Sequence, residues 1–241
     1  NGIGVVTMIR FTLEALTAPG DQVAVFSPVY DPFFAQVRNS GRTLVDLPMK
    51  EQNGHYSVDL AAFEQALKDG VKAVIFCNPH NPIGKVWTKD EVETIGGLCA
   101  KYGAYMLSDE VHGDMVMDGN HYNPMGLVDA IQDKLVVYTA ISKTFNLAGL
   151  HQSAIIIPNA EVRAKVDAML KGAWIMGPNL MAFTAMEAAY TYGDKWVDEV
   201  VAYISDNVRY VQQQVRDFMP KVKLSHHEGT FLMWLDLRCL G

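Results

Sequence analysis

Cysteine is scarce in this sequence. Cys77, Cys99 and Cys239 are the only three in 241 residues. They lie far apart and form no C-x-x-C pair, which excludes a disulfide framework or a paired-thiol motif. They read as small core hydrophobes of a reducing compartment such as the cytoplasm. Positive charge is also short: 20 Lys and Arg stand against 27 Asp and Glu, a net charge of -7. No basic run or face appears, which argues against nucleic acid as a partner. No apolar stretch approaches the roughly 20 residues of a membrane-spanning helix, so no membrane partner is expected. Internal repeats and low-complexity segments are absent. Gly2-Ile-Gly4 lacks the third glycine and the preceding strand of a dinucleotide fingerprint.

What the chain does have is apolar mass. Hydrophobic residues make up 49% of it, enough for one sizeable core in one large domain or one and a half. It begins with Asn1 rather than Met, and helical patterning starts within a few residues. It stops at Gly241 directly after a strand-like run. Both ends lead to the expectation that the sequence is the interior of a longer protein.

Residues 4–17 carry apolar side chains at helical spacing, Met8, Phe11, Leu13 and Leu16 among them, and Ala18-Pro-Gly-Asp21 ends the run. Strands are expected at 22–26, 43–47, 71–77, 104–108, 135–140 and 152–158. Helices are expected at 33–39, 57–68 and 88–101, the second reading as a capped helix from Ser57 and the third opened by the capping box Thr88-Lys-Asp-Glu91. Pro28 and Pro32 make 27–32 a loop. After Pro158 the pattern turns helical at 160–171, 179–192 and 194–219, before strand-like runs at 221–224 and 230–237. Alternating strands and helices up to residue 158 predict an α/β fold, a mostly parallel sheet sandwiched by helices. The last part is expected to begin a smaller α+β domain, with boundaries at 1–192 and 193–241.

Sheets of this kind bind ligands beyond the carboxyl ends of their strands. The polar clusters fall there: Asn78-Pro-His-Asn-Pro-Ile-Gly84, Asp109-Glu-Val-His112 and Ser142-Lys143, with Tyr30 just past another. Each has an ordinary reading. A lone lysine in a polar loop is usually a surface lysine, Asn and Pro form turns, and Tyr30 could simply pack. Asp109, Glu110, His112 and Asp114 have the residue types of a metal site, but such a set needs a further His or Asp from elsewhere, and no metal is expected. His80 reads as a loop residue, His226 and His227 as exposed positions on a strand edge, and Trp174, Met176 and Met181 as core or dimer contact. Together, however, the strand ends supply an amine, a carboxylate, an amide and an aromatic ring. The helix opening near Gly4 adds free backbone N–H groups able to bind phosphate. A desolvated lysine amine is a Schiff-base nucleophile. Asp109 can hold a cationic nitrogen, Asn81 can donate to an oxyanion, and Tyr30 can stack on a flat ring. These are the fittings that pyridoxal 5'-phosphate requires.

Three blocks also carry a resemblance. Asn78-Pro-His-Asn-Pro-Ile-Gly84, Ser108-Asp-Glu-Val-His-Gly-Asp114 and Ser142-Lys-Thr-Phe-Asn-Leu-Ala-Gly-Leu150 resemble the signature blocks of the fold-type I, class I and II aminotransferases. Their order and wide spacing match across nearly the whole chain. Within that family, the histidine of Ser108-Asp-Glu-Val-His112, the Ser142-Lys-Thr-Phe-Asn146 run, Ser27-Pro-Val-Tyr-Asp-Pro-Phe33 and Glu228-Gly-Thr-Phe-Leu-Met-Trp234 look most like the cystathionine β-lyase (C–S lyase) branch. That branch also includes a modulator of the maltose regulon.

The resemblance implies the large domain of a pyridoxal-phosphate enzyme in which Lys143 carries the cofactor and removes the substrate Cα proton. It implies that Asp109 pairs with the ring nitrogen, that Asn81 bonds the ring oxygen, and that Tyr30 stacks on the ring. His112 stands where many aminotransferases place a tyrosine on that oxygen. Backbone N–H groups of Val5 and Val6, helped by Ser142, would hold the phosphate. His151 falls where many relatives carry an arginine or lysine on the phosphate, a departure from their pattern. The implied reaction is β-elimination of a thiol from a small sulfur amino acid, leaving pyruvate and ammonia. Amino transfer to a 2-oxo acid is the alternative, and a regulatory protein on the same fold is another. A homodimer is implied too, with the substrate-carboxylate arginine beyond residue 241.

Overall fold

The structure, a computed structural model, describes residues 1–117, 119–177 and 180–240. Helix α1 (Val5–Leu16) leads into β1 (Gln22–Ser27), α2 (Pro32–Asn39) and β2 (Thr43–Pro48). A hairpin of β3 (Lys50–Gln52) and β4 (His55–Ser57) precedes α3 (Leu60–Lys68), β5 (Ala73–Cys77), α4 (Lys89–Tyr102) and β6 (Tyr105–Asp109). Short 3-10 turns lead to β7 (Leu135–Thr139), the one-turn helix α5 (Ile141–Thr144) and β8 (Ala154–Ile156). Helices α6 (Ala160–Gly172), α7 (Leu180–Tyr192) and α8 (Asp194–Phe218) follow, then strands β9 (Lys223–Leu224) and β10 (Leu235–Asp236).

Six strands make one sheet in the order β2-β1-β5-β6-β7-β8. Every pairing is parallel except that of β7 with β8. Side chains alternate between two cores. Val23, Val25, Ile75, Leu107, Val136 and Tyr138 pack with α1, α2 and α6. Ala24, Phe26, Val74, Phe76, Met106 and Val137 pack with α3 and α4. Burial on both faces is why β5 and β7 are unbroken apolar runs rather than alternating ones. This is the α/β sandwich the sequence predicts. Among the described residues, no helix is long and apolar enough to cross a membrane.

Local sequence fixes the element ends. Thr88 and Glu91 form the expected capping box on α4, worth about 1 kcal/mol. The cap of α3 is Asp59, which accepts the Ala62 N–H at 3.2 Å, and not Ser57. Ser57 instead ends the hairpin, whose turn places Asn53 and Gly54 at φ 54 and 83, the left-handed pair that tight hairpin turns need. The expected helix start at Asn179 lies outside the described residues. The last two strands have two residues each, shorter than their apolar patterns predict, and form a separate antiparallel pair.

The topology sets the place of the site. β1 lies between β2 and β5, so the chain leaves it to one side and later returns on the other. A crevice opens beyond the carboxyl ends of strands that flank such a reversal.

Candidate active site

Five neighbouring strands bring one sheet edge together. Tyr30 follows β1, Asn81 follows β5, Asp109 ends β6 and Lys143 follows β7. Because β8 runs antiparallel, its beginning is at that same edge, and His151 precedes it.

Asp109 is the electrostatic centre. It is 4% exposed, and its Oδ1 accepts the Val111 N–H at 3.2 Å. Burial pushes its carboxyl up to about 7, with Glu110 adding to the rise, against the Val111 N–H and the charge of Lys143. Half-buried Tyr30 sits within range of the same charge. Its hydroxyl is raised first by burial and then by Asp109, and its ring meets Phe33 edge-on at 5.6 Å.

His112 is 2% exposed. Its Nε2 lies 3.4 Å from Asn81 Nδ2. Burial, then the nearby Lys143 charge, lowers it to about 4, so the ring is neutral near pH 7. Its Nδ1 is buried and has no hydrogen-bond partner among the described residues.

The start of α1 is the candidate anion-binding end. The helix has no side-chain cap, so the first-turn N–H groups, those of Val5 and Val6 among them, lack an intrahelical acceptor. Gly4 turns into it at φ 102, and its N–H donates to Ser153 Oγ at 3.3 Å. His151 Nδ1 lies 3.9 Å from where a Cβ on Gly4 would stand, so His151 does reach the helix start. Ser142 and Lys143 share α5. This turn is held from two sides: Thr144 Oγ1 donates to Asp114 Oδ2 at 2.8 Å, and Trp196 Nε1 on α8 donates to the Thr144 carbonyl at 2.9 Å.

Two neighbours point away from the crevice. Glu110 accepts from Ser108 Oγ at 2.7 Å, from the Met125 N–H at 3.0 Å and from the Tyr122 hydroxyl. His80 is fully buried, with Nε2 2.9 Å from the Pro28 carbonyl and its ring edge-on to Trp87. It ties the loop that holds Asn81 to the loop that holds Tyr30. It is a loop residue, as expected, but a buried and structural one. His226 is exposed, whereas His227 is half-buried against Gly84, and neither lies in a strand.

A sequence model of the family described as aminotransferase class I and II matches residues 4–240. The chain belongs to the class I and II aminotransferases. Within that family it is 41% identical over 240 residues to cystathionine beta-lyase PatB of Bacillus subtilis (strain 168), covering 99% of this chain and 62% of that protein. It is 32% identical over 242 residues to protein MalY of Escherichia coli (strain K12), covering 100% of this chain and 62% of that protein. Among solved structures it superposes on cystalysin from Treponema denticola, which contains a pyridoxal 5'-phosphate cofactor. The TM-score is 0.96 with 34% identity, over 99% of this chain and 61% of that one. The chain thus spans about three-fifths of the length of the relatives it matches.

Sequence reasoning gave no structural role to several residues around this candidate site. Trp196, which holds α5, is distant in sequence and carries no local signature, and Asp114 lies in the second block without any sign there of its bond to Thr144. Phe231 packs its ring 5.4 Å from that of His112 and 6.0 Å from Lys143 Nζ. The Glu228-Gly-Thr-Phe231 run carried part of the resemblance, and it was the available signal that this segment reaches the site.

Proposed function

We propose that the protein containing this chain is a pyridoxal 5'-phosphate-dependent C–S β-lyase of the cystathionine β-lyase type. Its substrate would be a small amino acid with sulfur on Cβ, cleaved to a thiol, pyruvate and ammonia. The observation that carries the reading is Asp109, a buried carboxylate beside Lys143 whose only hydrogen-bond donor among the described residues is the Val111 N–H. A cationic ring nitrogen is the partner that would relieve its burial. The Asn81–His112 pair and the uncapped start of α1 fit the ring oxygen and the phosphate of the same molecule.

In this reading Lys143 holds the cofactor through its amine. Asp109 pairs with the ring nitrogen, Asn81 and His112 face the ring oxygen, and Tyr30 covers the ring. Val5 and Val6 N–H groups, Ser142 and His151 hold the phosphate. The cofactor supplies an electron-accepting ring conjugated to the substrate nitrogen. Lys143 Nζ takes the substrate Cα proton, and the turn of α5 keeps that amine at one height above the sheet edge. Asp109 stays ionised once a cation faces it, and so keeps the ring nitrogen protonated. Neutral His112 adds no charge beside Lys143.

The similarity to PatB favours elimination over amino transfer. The same reading places the protein in the cytoplasm. It divides the chain into a cofactor-binding domain at 1–192 and the start of a smaller domain at 193–241. It also makes the protein a homodimer, which the exposed apolar side chains of Trp174, Met176, Leu180 and Met181 support. Incubating the full-length, cofactor-loaded protein with cystathionine tests the function. Pyruvate should accumulate with no 2-oxo acid added. Product that appears only when a 2-oxo acid is supplied would make it a transaminase.

A further inference from the structure

The segment 228–231 arrives from beyond the 25-residue helix α8 and is fastened to the site's own loops. Glu228 and Gly229 N–H groups both donate to the Gly84 carbonyl, at 2.8 and 2.9 Å. Glu228 Oε2 accepts the Val86 N–H at 2.9 Å. On the other side, Met117 N–H donates to the Glu228 carbonyl at 2.9 Å and Thr230 N–H to the Met115 carbonyl at 2.8 Å. The approach needs glycine at position 84. Its φ is 72, and a Cβ there would stand 2.8 Å from His227 Cδ2 and 3.1 Å from the Gly229 carbonyl oxygen.

Thr230 is fully buried with φ 69, a left-handed conformation that is unfavourable for a β-branched residue and survives only where the surroundings over-determine it. That conformation turns the next side chain inward. Phe231 lies with its ring tilted 56° against His112 and with Lys143 Nζ 6.0 Å from its centroid. It is nonetheless 46% exposed. The ring thus has one side against His112 and Lys143, while its surface also lines a groove with Val208 and Val211 of α8.

We propose that Phe231 is a specificity-determining residue. Its free ring surface receives the group carried on the substrate's Cβ and selects thioether and alkyl-thio groups over small substituents. A ring offers a thioether both apolar area and a sulfur–aromatic contact, and it offers a carboxylate side chain nothing. The proposal rests on the reading of this crevice as the cofactor and substrate site, and it identifies the substrate class within it.

The test titrates the full-length, cofactor-loaded protein with S-ethylcysteine and with alanine, read by the change in the visible cofactor band. Wild type, Phe231→Ala and Phe231→Leu are compared, with pyruvate release from cystathionine followed in parallel. Phe231→Ala should weaken S-ethylcysteine about tenfold relative to alanine, or about 1.4 kcal/mol. Phe231→Leu should fall between, and all three proteins should show the same band before ligand is added. Equal weakening of both ligands, or no change, would overturn the proposal. A band with normal ligand selectivity but no pyruvate would remove the lyase reading and leave the role of Phe231 standing. No band in wild type would remove both.

Discussion

Asp109 and the two buried histidines make opposite demands on pH. The Asp109 carboxyl is held near 7 by burial, above its ordinary value. Between the usual carboxylate range and about pH 7 the folded, cofactor-free chain therefore binds more protons than the unfolded one. Stability from this group is present at low pH and is lost as pH rises through about 7. His80 and His112 are both lowered to about 4, chiefly by burial. The folded chain binds fewer protons there, so stability is present above the ordinary histidine value and falls as pH drops toward 4. Asp109→Asn should consequently stabilise the cofactor-free protein more at pH 8 than at pH 5, with a difference on the order of 3 kcal/mol in denaturant unfolding, while abolishing activity. A variant with the same advantage at both pH values would contradict the burial of that charge. Glu110 is adjacent in sequence and opposite in role. Glu110→Ala strips three donors of their acceptor and should lower stability by about 3 kcal/mol, with cofactor affinity little changed in a binding titration. The residue types at 78–84, 109–112 and 142–143 made Asn81, Asp109 and Lys143 legible in the sequence. The residue types do not by themselves explain why Asp109, the acid singled out from the sequence, and not its neighbour Glu110, turns toward the crevice. Strand pleating decides that, and it depends on where β6 ends.

Elements were legible where periodicity was strong and illegible where contacts are distant. The alternation of strands and helices gave the sheet, and Thr88 with Glu91 gave the start of α4. The β3–β4 hairpin was missed because its residues are largely exposed and carry little apolar pattern, although Asn53-Gly54 marks its turn. The clamp on α5 was illegible for another reason. A four-residue helix has no stability of its own, and its position depends on Asp114, 30 residues before Thr144, and Trp196, 52 residues after it. Trp196→Phe keeps the ring and deletes the N–H to the Thr144 carbonyl. It should lower kcat about three- to tenfold through misplacement of Lys143, with KM and the melting temperature nearly unchanged. An unchanged kcat would show that α5 is positioned without that bond.

At the scale of the whole molecule, the central strands of the sheet are buried on both faces, yet α7 buries only Ala182 among its described apolar residues and leaves Leu180, Met181, Phe183 and Tyr192 exposed. Trp174, on the segment before it, is 82% exposed. Contiguous apolar surface of this kind marks an interaction site. The full-length protein should sediment as a dimer, and Met181→Asp should shift it toward monomer; a wild-type monomer would contradict the homodimer reading. Every functional role proposed for this chain depends on Lys143 and Asp109 facing one bound cofactor at the sheet edge. The most direct measurement is the visible absorption of the full-length protein mixed with pyridoxal 5'-phosphate, wild type against Lys143→Ala. The wild type should develop the absorption band of a lysine-linked cofactor and Lys143→Ala should not. The same spectrum from both proteins would show that Lys143 does not carry the cofactor.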